Sequence, residues 1–209
     1  MSDFLFPDNT VLCNFAAVER LDLLRAVLAG RGKWTAAVSR EARKSAEQLP
    51  ALHDLRQQGW LGEAIRVTAP DDLANVWHLR TAVFGGQADR HLQHLGEAET
   101  CHVIQRWPQF SGAWWLSDDK SALEYAIRQG IMTAETLDMM QLAVKAGFVT
   151  AEEGFALMQK MRQFNRYPRL PRSVADLTVL PWSLTELLPD QSDDEATAHT
   201  TQQIHPSGP

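Results

Sequence analysis

Short apolar runs alternate with helix-length stretches along this chain, and that alternation limits the fold more than any other feature. Phe4-Leu5-Phe6 is apolar and bounded by Pro7, which suits a buried first strand with proline at its end, where no ladder donor is needed. The next strand candidates are residues 34–38, 65–68 and 113–116, with a very short one at Ile131-Met132. Between them, apolar residues recur at helical spacing. One such stretch runs from Val11 through Leu21, Leu24 and Leu28 to Gly30, and a second from Ser39, as N-cap, to Gln58. Others start at Pro70, at Gly96 and near Ala122, and two closing helices fall at about 134–146 and 151–164. Strands interleaved with helices predict an α/β fold, a mainly parallel central sheet flanked by helices.

A chain of 209 residues suits one domain with an appendage. That domain is expected over residues 1–171. Residues 172–189, with Leu177, Val179, Leu180, Trp182, Leu184, Leu187 and Leu188, are too apolar for a free tail and are expected to dock on this domain or on a neighbouring subunit. Residues 190–209 carry Asp190, Asp193, Asp194 and Glu195 and no Lys or Arg, and are expected to be disordered. Most of the net charge of -6 falls there, so acidity does not exclude a phosphodiester substrate. No apolar run approaches a membrane span, and the N-terminus lacks a signal-peptide pattern. Cys13 and Cys101 make no disulfide framework, and a reducing cytoplasm is the expected compartment.

In an open parallel sheet, ligands gather outside the carboxyl ends of the strands. Asp8 ends the first strand and Asp118-Asp119 the fourth, Glu41 follows the second, and Glu97 and Glu99 begin the helix that feeds the fourth. Carboxylates collected at one edge repel each other, and Mg²⁺ or Mn²⁺, hard cations that prefer oxygen, would relieve the repulsion. Such ions activate water and stabilise the leaving oxygen in phosphodiester hydrolysis. His91 and His94 sit near Glu97, yet they lack the remaining ligands of a zinc site.

Four motifs then carry a resemblance. Asp8-Asn9-Thr10-Val11-Leu12 resembles the opening Asp-Thr-Asn-Val-Leu signature of PIN-domain nucleases, with the polar pair reversed. Ser39-Arg40-Glu41 is similar to that family's second acidic position. Gly96-Glu97-Ala98-Glu99 resembles the Gly-Glu-Ala-Glu motif of one bacterial branch, and Leu116-Ser117-Asp118-Asp119 its late Leu-Thr-Asp-Asp motif. The resemblance implies a PIN-like three-layer fold and a Mg²⁺- or Mn²⁺-dependent ribonuclease, often the toxin of a toxin–antitoxin pair. It implies metal ligands among Asp8, Glu41, Glu99 and one of Asp118 or Asp119, with Glu97 as a further candidate and Thr10 and Ser117 in support. It leaves room for a small antitoxin partner and for a homodimer. Arg162, Arg166 and Arg169, beside Phe164 and Tyr167, are the expected RNA contacts. The competing expectation is a catalytically silent PIN-like module that binds another protein, suggested by the apolar segment and the irregular first motif.

Overall fold

The computed structural model describes residues 4–188, so the expected disordered tail lies outside the described residues. Three parallel strands form the sheet in the order β1-β2-β3: β1 (Leu5–Pro7), β2 (Trp114–Leu116) and β3 (Met132–Ala134). Leu5 stands opposite Trp114, and Leu116 stands between Pro7 and Ala134. Pro7 closes β1 without needing a donor, and the next amide, Asp8, donates to the Leu116 carbonyl at 2.8 Å.

Every residue of β1 and β2 is buried, as expected for strands covered on both faces. Side chains alternate across the sheet. Leu5 and Leu116 belong to one apolar core with Leu12, Leu24, Trp34 and Met140, whereas Phe6 and Trp115 belong to a second with Val67, Ala98 and Ala126. Helices supply both outer layers, so the protein is a three-layer α/β structure with a parallel sheet.

Two expected strands are corrected. Residues 34–38 and 65–68 meet only in the single parallel bridge of Thr35 with Ile65, and the other isolated bridge joins Leu5 to Gly32, ahead of the expected strand. The Thr35 hydroxyl accepts from the Val38 amide at 3.4 Å and starts a helix at Ala36, which takes the apolar Ala37 and Val38 out of any strand. Thr35, not Ser39, is therefore the N-cap.

The long helical stretches also divide. The first becomes α1 (Asn9–Ala17) and α2 (Leu21–Leu28), separated at Glu19, whose φ of 58° ends the helical path. The second becomes α3 (Ala36–Ser45), a single turn at Pro50–Leu52 and the short α4 (Leu55–Gln58). Pro50 disfavours helical backbone at Leu49 and cannot donate, so α3 stops short of it. Then come α5 (Pro70–His78), continued by a wider turn at Leu79–Val83, and α6 (Leu95–Arg106). α7 (Lys120–Arg128) connects β2 to β3, and α8 (Thr136–Lys145) and α9 (Ala151–Gln163) close the domain.

The apolar segment after α9 packs on this domain. Leu177, Leu184 and Leu187 join the first core, and Arg31 donates to the Leu187 carbonyl at 2.7 Å. Among the described residues no helix is long and apolar enough to cross a membrane.

Candidate active site

Asp8 sits at the junction of β1 and α1, the first residue past the sheet edge. Its backbone takes the N-cap position, but its carboxylate makes no capping hydrogen bond. Instead Oδ2 accepts from the Thr10 hydroxyl at 3.1 Å and from the Ser117 hydroxyl at 3.3 Å, so β1, α1 and the end of β2 all hold it. Thr10 and Ser117, the two residues expected in support, are thus the two hydroxyl donors to this carboxylate. The carboxyl is pushed up from 3.8 to about 7, by burial first and then by the charge of Glu97.

Glu41, on α3, comes to the same place. Burial, then the charges of Asp8 and Glu97, raise it from 4.5 to about 8. The Gly96 amide, which hydrogen-bonds Glu41, pulls the other way. Gly96 does not break the chain ahead of α6, since the helix already begins at Leu95, with His94 at a φ of 58° before it. Its glycine is needed for contact: a Cβ there would lie 2.8 Å from Glu41 Oε2. Glu97 completes the group and is steadied by His94, whose Nδ1 lies 3.1 Å from its Oε1.

The other acids make different contacts. Glu99 Oε2 accepts from the Ala37 amide at 2.9 Å, at the N-terminus of α3, and its charge also acts on Glu41. Burial raises its carboxyl, against hydrogen bonds from Ala37 and Thr35. Asp119 caps α7, accepting from the Ala122 amide at 3.0 Å. Asp118 enters a buried network that the sequence reading did not foresee. Its Oδ2 accepts from Asn14 at 2.8 Å and from the Thr136 hydroxyl at 2.5 Å, and its Oδ1 from the Thr136 amide at 3.1 Å. Arg166 donates to Asn14 Oδ1 at 3.2 Å, tying the chain after α9 to α1. A polar Asn inside the apolar run Val11–Ala17 was the available signal for this network.

The other two expected RNA contacts, Arg162 and Arg169, are both exposed. Arg169 pairs with Glu135 and Asp138, the latter at 3.2 Å, and Arg162 stacks on Tyr167. Arg80, fully buried, donates to the carbonyls of Gln87, Arg90 and Gln93, and so shapes the loop that leads to His94 and Glu97.

Asp8, Glu41 and Glu97 thus form one mutually repelling set of oxygen donors, which in charge and donor type fits a hard divalent cation. As placed, no group of three or more His, Cys, Asp or Glu among the described residues is gathered tightly enough to hold a metal ion. No family model, curated protein or solved structure matches this chain.

Proposed function

We propose that the protein is a PIN-like ribonuclease that hydrolyses RNA phosphodiester bonds with Mg²⁺ or Mn²⁺ held by Asp8, Glu41 and Glu97. The observation that carries this reading is the convergence of three carboxylates at the carboxyl edge of a parallel sheet, where the charge of Glu97 raises Asp8 and the charges of Asp8 and Glu97 raise Glu41. A bound divalent cation supplies positive charge at the attacked phosphate and acidifies water. The chain's own residues provide the rest. Thr10 and Ser117 fix the Asp8 carboxylate from two elements. Gly96 admits Glu41 and donates to it, and His94 steadies Glu97. The Asp118–Thr136–Asn14 network fixes the ends of β2 and β3 against α1, and so positions Ser117 and Asp8.

The test is cleavage of single-stranded RNA by the purified chain in Mn²⁺. Activity should vanish in excess chelator and fall by about 100-fold or more in Asp8→Asn, the scale for groups that stabilise transition-state charge. The circular dichroism spectrum should be unchanged. Full activity in that variant would falsify the assignment. A second reading, a silent protein-binding module, draws on Trp182 and Val179, which stand 89% and 66% exposed on the segment that follows α9. A stable partner recovered with a chain that neither binds Mn²⁺ nor cleaves RNA would favour it.

A further inference from the structure

The outer face of α3 carries cations that the protein does not match with acids. Arg40, Arg43, Arg56 and Arg66 line a cleft of 470 Å³ with an apolar floor that includes Leu52 and Leu55. All four arginines are exposed, and Glu99 is the one acid in the lining. Glu99 is already tied to the Ala37 amide, although Arg40 also acts on its charge. Arg43, Arg56 and Arg66 make no ion pair among the described residues.

The last turns of α3 and α4 favour the cations Arg43 and Arg56 on their own account. Arg66 has no such reason, since it lies on an extended stretch outside any helix, and Arg40 stands mid-helix. Four guanidinium groups from three separate stretches therefore surround one apolar floor. Arg40 also lines a neighbouring cleft of 610 Å³ together with Glu41 and Lys44. Arg40 is thus common to the arginine cleft and to a cleft lined by Glu41, one acid of the carboxylate centre.

We propose that the arginine cleft is a binding site for the RNA strand beside the point of cleavage. The strand leaves the Asp8–Glu41–Glu97 centre, crosses α3 at Arg40 and enters the cleft, where arginines take phosphates and the apolar floor takes a base. The guanidinium fork matches phosphate oxygens two at a time, and an apolar floor suits a nucleobase better than a bare anion. This proposal rests on the reading of the protein as a ribonuclease. It moves the RNA contact from the chain after α9, where Arg166 and Arg169 are engaged, to α3.

Fluorescence anisotropy of a labelled single-stranded RNA of about 12 nucleotides, in chelator, tests it at roughly 50 and 200 mM salt. The Arg43→Glu/Arg56→Glu double variant should bind about 10-fold or more weakly, with a salt slope shallower by about one to two. The cleft assignment is overturned if the double variant keeps the parent's affinity and slope, or if the parent does not bind RNA. It is overturned as well if poly-glutamate displaces the probe as effectively as unlabelled RNA. Cleavage in Mn²⁺ is read separately: tight RNA binding without cleavage counts against hydrolysis alone, and cleavage with binding indifferent to Arg43 and Arg56 counts against the cleft alone.

Discussion

Asp8 occupies a position where an aspartate ordinarily caps a helix, and its side chain does something else. Asp119 shows the ordinary behaviour at α7, accepting from the Ala122 amide. The Asp8 carboxylate is held by two hydroxyls beside Glu97, at 4% exposure, where burial and repulsion both disfavour its charge. Gly96 makes the crowding testable. A Cβ at 96 would meet Glu41 Oε2 at 2.8 Å and Oε1 at 2.9 Å, and the carboxylate, at the end of a flexible chain, is what would move. Alanine also favours helix over glycine by up to about 1 kcal/mol. Gly96→Ala should therefore leave the urea midpoint within about 1 kcal/mol of the parent's stability while RNA cleavage falls at least 10-fold. Undiminished cleavage would mean that Glu41 does not need its place against α6.

At the level of elements, the acids of the sheet edge were legible, but their directions were not. Glu97 and Glu99 lie two residues apart, so their side chains leave α6 about 200° apart around the axis, and although both charges reach Glu41, only that of Glu97 acts on Asp8. Sequence shows that opposition without saying which face meets Asp8. The motif register preferred Glu99, whereas the packing of α6 on α3 turns Glu97 to Asp8 and Glu99 to the Ala37 amide. The strand assigned to residues 34–38 failed for a related reason. A five-residue apolar run has too little period to separate strand from buried helix, and the deciding group was the Thr35 hydroxyl. The polar network under the site depends wholly on tertiary contact, since Asn14, Asp118 and Thr136 come from three distant parts of the chain. Thr136→Val keeps the shape of the side chain but removes the hydroxyl shared by Asn14 and Asp118. It should cost about 1–3 kcal/mol, read as a lower urea midpoint, because a buried carboxylate loses a donor. An unchanged midpoint would remove this network from the forces that hold α1, β2 and α8 together.

For the molecule as a whole, buried carboxyls shape how stability depends on pH: burial raises Glu99, Asp118 and Asp138 as well as Asp8 and Glu41. Asp8 and Glu41 are raised in the folded protein from 3.8 to about 7 and from 4.5 to about 8. Between those limits the folded state binds more protons than the unfolded chain, and stability therefore falls as pH rises. The contribution of each acid is fully present below its unfolded pKa and is lost as pH passes through its folded value. The thermal midpoint of the chelated protein should accordingly drop by several degrees from roughly pH 5 to pH 9. A divalent cation offers the cluster the positive charge that a proton supplies at low pH. Saturating Mn²⁺ should therefore raise the midpoint most at the alkaline end and flatten the profile. Asp8→Asn, which deletes one raised acid and one donor of the set, should weaken both the slope in chelator and the response to Mn²⁺. Scanning fluorimetry across pH, with and without the ion, separates the two claims. A flat profile in chelator removes the raised carboxyls themselves, whereas a slope that Mn²⁺ leaves unaltered keeps them and removes the cation.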